Sequence, residues 1–329
     1  MRIQRSLAFA SLALLTACGD AAVEPQEVGE PQDTLALDSV EATARPELSA
    51  GLSVDLAGVG VVAPEVGHGV FAEVLFDNGE TRSIILETSL DGRVLELAPI
   101  AHIAHDGDLD EDAEGDEVMG QAGSTVIPIP GALAPCKDTS YSLNPYKVVG
   151  PLQWYFNAGS TPKDNSKSAV GAKLIAAANN IVTSRNSCKM ADQVSATHQY
   201  MGTTTAPAQI TNTAQCQPAG NGLNTVGFGT LPKGILGLAC VYYAGTDVVE
   251  ADIRFNKSYK WYAKKPTNCS GRYSIEGVAT HEFGHVFGLG HVSESKHGNL
   301  TMSTSMNGTC QGSEVTLGRG DVLGLRVKY

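Results

Sequence analysis

The chain has 329 residues, 42% hydrophobic and 18% charged, with a formal net charge of −12, which allows a substantial core in one large and one smaller domain and excludes a disordered or fibrous protein. The charge is divided: residues 19–120 hold 24 acids against three arginines, and residues 121–329 hold 18 Lys or Arg against 11 acids. Opposite signs predict that the first part docks on the second, and a basic excess this modest, without interleaved aromatics, argues against a nucleic-acid partner.

In chain order, Arg2 and Arg5 precede the apolar run LAFASLALL (7–15), which is too short to span a bilayer, so residues 1–18 read as an export signal. Leu15-Thr16-Ala17-Cys18 resembles the lipobox of bacterial lipoproteins. The resemblance implies cleavage before Cys18, its lipidation, and an exported protein anchored to a bacterial membrane or the cell surface; an ordinary secretory signal is the other reading. Residues 19–48 are acidic and proline-bearing and predict a flexible tether. Over residues 49–105 the runs VFAEVLF, RSIILE and RVLEL are separated by Asn78-Gly79 and Asp91-Gly92, which predicts a small β-rich domain of hairpins. Residues 106–117 carry eight acids. Asp106, Asp108, Asp110, Asp112 and Glu117 follow a calcium-loop spacing, but Glu111 stands where the sharp turn needs glycine, so 106–120 reads as an acidic linker open to proteolysis and calcium has no support.

The remaining residues, 121–329, form the expected main domain. LQWYFN (152–157) predicts a strand, and SKSAVGAKLIAAANNIV (166–182) puts Val170, Leu174, Ile175, Ala178, Ile181 and Val182 on one helical face, with Ser166 or Ser168 as cap. Residues 188–240 suggest short strands and long loops, GILGLACVYY and VVEADIRFN two further strands, and a second helix begins near Tyr273-Ser274-Ile275. Beyond Cys18 there are six cysteines (136, 188, 216, 240, 269, 310), an even set that predicts three disulfides in an oxidising compartment without choosing their pairing.

The second helix carries HEFGHVFGLGH, residues 281–291. His281 and His285 lie four apart, on one helical face, and can reach one ion. Gly288 can end the helix in a left-handed conformation and return the chain so that His291 supplies a third nitrogen. Three ligands leave a coordination position open, as catalytic zinc requires, and Glu282 is placed to act as a general base.

HEFGHVFGLGH fits the signature of the metzincin zinc peptidases, and the chain resembles their matrixin branch over residues 146–329. The resemblance implies an α+β catalytic domain, a twisted mixed sheet with two long helices and an active-site cleft, preceded here by a small β-rich domain. It implies that Met302, with Met306 as runner-up, forms a turn beneath the metal, that Asp321 supports this turn, and that Leu238, Ala239, Cys240 and Val241 lie on an edge strand that binds extended substrate. Three departures stand out. Arg254 and Tyr259 replace residues of the structural zinc site, whose only nearby histidine is His198, so no second zinc is expected; Val292 replaces a usual serine; and no PRCGxPD pro-segment cysteine motif occurs. His297 reads as a loop residue rather than a ligand.

The implied activity is zinc-dependent cleavage of internal peptide bonds in extracellular proteins by a monomer. Residues 49–120 then read as an inhibitory pro-domain, with acids or His102 and His105 near the cleft, or as a plain spacer. The competing function is a lipid-anchored adhesion protein on the same scaffold, against which Glu282 argues, because a pure binding site needs the histidines but not the base.

Overall fold

The computed structural model describes residues 41–56, 58–102, 131–304 and 308–329. The export signal with Cys18, residues 19–40 of the tether, His105, the acidic linker and Met306 lie outside the described residues.

The acidic segment contributes β1 (Ala42–Ala44), β2 (Ser53–Leu56), β3 (Val59–Val62), β4 (His68–Phe76), β5 (Thr81–Thr88) and β6 (Val94–Leu97). Gly79 and Gly92, both at positive φ, close the β4–β5 and β5–β6 turns that their sequences predict. Ala42–Ala44 pairs with β6, Ala42 opposite Leu97, so ordered strand begins inside the stretch read as tether.

The rest contributes β7 (Ile100–His102), β8 (Tyr141–Leu143), β9 (Pro151–Phe156), α1 (Lys167–Val182), β10 (Thr197–Thr203), β11 (Asn224–Gly229), β12 (Ile235–Ala244) and β13 (Asp247–Asn256). Then follow β14 (Lys260–Tyr262), β15 (Arg272–Ser274), α2 (Ile275–Val286), β16 (Leu289–Gly290), α3 (Glu294–His297) and α4 (Arg319–Lys328). Ser166 caps α1 by accepting from Ala169 N, and Ser274 caps α2 by accepting from Gly277 N, each satisfying an N–H that the helix itself leaves unpaired.

Nine strands form one mixed sheet in the order β1-β6-β5-β4-β12-β13-β11-β9-β10. β13, β11, β9 and β10 run parallel, and every other neighbouring pair is antiparallel. Here the structure departs from the sequence reading. The acidic segment does not dock on a surface; β4 joins β12 and continues its sheet. β12, expected at an edge, is therefore internal and buried in all but its last residue.

The reason lies in the composition of β4, which alternates across the pleat with apolar groups on both faces. Phe71 and Leu75 join the large core with Trp154, Phe255, Phe283 and Tyr146, between the sheet and α1 and α2. Val70, Ala72 and Val74 join a second core with Val59, Val61, Ile210, Leu238 and Tyr242. Each Val, Leu or Phe side chain among these is worth about 1.5–3 kcal/mol when fully buried, so an exposed β4 would be costly and its fit against β12 offsets that cost.

α1 and α2 are locked by buried Glu276, which meets Lys173 Nζ at 2.6 Å and Arg185 at 3.4 Å. The six cysteines pair as Cys136–Cys188, Cys216–Cys240 and Cys269–Cys310. None of these bridges reaches β1–β6.

Candidate metal centre

α2 presents His281 and His285 one turn apart, both fully buried. The helix ends at Gly288, whose φ is +85° and where an added Cβ would come within 2.5 Å of the Tyr146 carbonyl. That reversal, followed by β16, brings back His291. The three Nε2 atoms converge, His281 to His285 at 3.1 Å, His285 to His291 at 3.0 Å and His281 to His291 at 3.3 Å.

Each buried ring is held by its other nitrogen. His281 Nδ1–H donates to the Thr301 carbonyl at 2.7 Å and His285 Nδ1–H to the Leu289 carbonyl at 2.9 Å. With the proton on Nδ1, each Nε2 carries a lone pair, and two lone pairs 3.1 Å apart repel unless a cation lies between them. A tetrahedral zinc with bonds of about 2.0 Å separates its ligand atoms by about 3.3 Å. The residues present fit that ion.

The Thr301 carbonyl is itself fixed. Asp321, in the first turn of α4, accepts from Thr301 N at 2.9 Å, Met302 N at 3.2 Å and Gly318 N at 2.8 Å. Burial pushes this carboxyl up to about 6, against the pull of the three N–H groups. Met302 is buried below α2, and a Cβ on Gly284 would stand 2.4 Å from its sulfur. Glu282 is fully buried, and neither carboxylate oxygen has a hydrogen-bond partner. The missing side chain of Gly237 leaves its space, since a Cβ there would lie 3.0 Å from Oε1. Burial, then the charge of Glu73, raises the Glu282 carboxyl well above its ordinary range.

One group here was absent from the sequence reading. Glu73 of β4 is fully buried, with Oε1 at 3.2 Å from His281 Nε2 and 2.9 Å from His291 Nε2, and Oε2 at 2.5 Å from His285 Nε2. Glu73, His281, His285 and His291 are the one group among the described residues whose ligand atoms all lie within 4.8 Å of one another. A signal existed. In VFAEVLF, period two puts Glu73 on the face of Phe71 and Leu75, and a carboxylate on an apolar strand face needs a partner.

The expected substrate strand lies alongside. Leu238, Ala239, Cys240 and Val241 stand opposite Val74, Glu73, Ala72 and Phe71 of β4, and Cys240 is bonded to Cys216. Other singled-out residues lie apart from the histidines. His198 is held by Trp154 Nε1 and Asn179, Arg254 donates to the Ala208 carbonyl, Tyr259 donates to Asp77, and His297 pairs with Asp138 at 2.9 Å. His102 is in β7, where the chain pairs with β8 opposite Tyr141.

Residues 231–329 match the family model described as Matrixin. The match takes in β12, the three histidines, Met302 and Asp321, and leaves out Glu73. No curated protein matches the chain.

Proposed function

From the premise that residues 231–329 are a matrixin-type metallopeptidase segment, we propose that the protein is a zinc-dependent endopeptidase acting on internal bonds of extracellular proteins. The observation that carries this reading is the convergence of three Nε2 atoms within 3.3 Å beside a buried, unpartnered Glu282. His281, His285 and His291 would hold the zinc, which when bound supplies a Lewis acid that acidifies water and polarises a carbonyl. Glu282 Oε1 or Oε2, free of competing donors, takes the proton from the attacking water and returns it to the leaving amine.

Leu238 to Val241 of β12 orient the substrate by backbone pairing along the edge that β4 takes in this structure. Met302 and Asp321 hold the floor, by fixing the Thr301 carbonyl that orients His281. Export through residues 1–18 and anchoring at Cys18 belong to the same proposal. Three disulfides suit that oxidising compartment.

The test is casein cleavage by the zinc-loaded chain, intact and after limited proteolysis with a serine protease that is then quenched. Glu282→Ala runs beside it, with zinc measured in both. Cleavage after nicking that needs Glu282 and is stopped by a chelator is the expected result. Zinc retained in both with no cleavage by either would favour the adhesion scaffold instead.

A further inference from the structure

The peptidase reading uses three histidines and leaves Glu73 unexplained. Catalytic zinc keeps a coordination position open, whereas four protein ligands close a site, and here a fourth protein group stands among the three nitrogens at 2.5–3.2 Å. A carboxylate this deeply buried on an apolar strand face is strongly unfavourable without a charged partner. The metal the histidines are shaped for is that partner.

The strand around Glu73 occupies the place of a substrate. β4 runs antiparallel to β12 with Glu73 opposite Ala239. Its ring Phe71 lies 5.1 Å from His285 and 6.0 Å from Tyr146. Its turn is fastened beyond the site, where Asp77 N donates to Gly234 O at 2.7 Å, Tyr273 Oη donates to Asp77 O at 2.8 Å and Tyr259 Oη donates to Asp77 Oδ2 at 2.7 Å. His281, Glu282 and His285 have no solvent exposure beneath it.

We propose that Glu73 is a fourth protein ligand of the metal and that β4 holds the substrate's place on β12, so that the intact chain is a latent form opened by withdrawal of β4. The inference rests on the peptidase reading for what is silenced, but the ligation stands by itself. It differs from inhibition by a pro-segment cysteine, since the blocking group is a carboxylate built into the enzyme's own sheet. Withdrawal has a route in the covalent structure. The disulfides join only residues from 136 onward, so one cut within residues 103–130 leaves β1–β7 attached by non-covalent contacts alone.

The experiment is visible absorption of the chain loaded with cobalt(II) in place of zinc, titrated with azide, for the parent, Glu73→Ala and Glu73→Gln. Azide is small enough for the space that Glu73→Ala opens, and Gln keeps the side-chain volume while being a poor ligand, so one variant covers a folding failure of the other. The expected result is a cobalt spectrum that differs from the parent in both variants and shifts with azide in Glu73→Ala, while the uncut parent does not respond. After a cut within 103–130 and loss of the N-terminal fragment, the parent should respond too. A parent that shifts with azide as readily as Glu73→Ala, or a Glu73→Gln spectrum superimposable on the parent's, would overturn the proposal. Because cobalt reports ligation and not turnover, failure of the peptidase reading would leave this result standing, and casein cleavage by uncut parent at the rate of the cut chain would count against latency alone.

Discussion

The candidate metal centre has a floor and a roof, and they are secured differently. The floor is α2, the Met302 turn and α4, tied by the Thr301 carbonyl on His281, by Asp321 with its three backbone donors, and by disulfides on the surrounding segments. The roof is β4, which contributes Glu73 and is held by ladder hydrogen bonds and apolar packing without any covalent bridge. A permanent site and a removable cover would need just this contrast, since groups that must keep their geometry are fixed by buried polar networks while a cover has only to be stable until cut.

The largest test of the contrast is loss of a floor ligand. His285→Ala should weaken zinc affinity by more than about 100-fold, since even groups behind the ligands are worth about 10–100-fold, and should abolish casein cleavage; metal analysis after dialysis against a chelator checks it. Next, Glu282→Gln should keep the metal and lower kcat of the cut chain by about 10²–10⁴ with KM little changed, measured on a fluorogenic peptide.

On the roof, Phe71→Ala removes a buried ring from beside His285 and should cost about 3–5 kcal/mol. If roof and floor are separately secured, hydrogen exchange should speed up in residues 68–76 far more than in 275–286. Equal acceleration in both would merge the two into one unit.

The smallest effect is at the back of the floor. Asp321→Asn keeps one acceptor oxygen and puts a donor against N–H groups, costing about 1–3 kcal/mol, or a melting temperature lower by about 2–4 °C for each kcal/mol. The same group sets a pH dependence. Burial holds Asp321 up at about 6 in the folded chain against about 3.9 for an unfolded aspartate. Between those values the native state keeps a proton that the unfolded state has released, so this contribution to stability falls as pH rises from about 4 to 6. Buried Asp252, held up to about 7, adds a fall of its own, so thermal melts across that range should show a smaller fall in Asp321→Asn than in the parent.

Much of the site was legible because its signals are local. Four-residue spacing places His281 and His285 on one face of any helix, Gly288 suits only a chain reversal, and Ser166 and Ser274 cap the helices that follow them. Alternation in β4 and β5 and the Asn78-Gly79 and Asp91-Gly92 turns likewise depend on neighbours in sequence. What was misread was the relation between segments. A charge difference suggests attraction between two bodies, but it does not say that one will donate strands to the other's sheet.

By itself, then, the sequence determined three histidines spaced to hold one metal, a candidate base beside them, a helix that breaks at Gly288 and a run of hairpin strands before them. Tertiary structure alone decided which cysteines pair, that β12 lies inside the sheet, and that Glu73 meets His281 across 208 positions of chain. The physical reason is that helix period, turn chemistry and capping act within a few residues, whereas the partner of a sheet edge or a buried charge is chosen by which distant surfaces can be desolvated together.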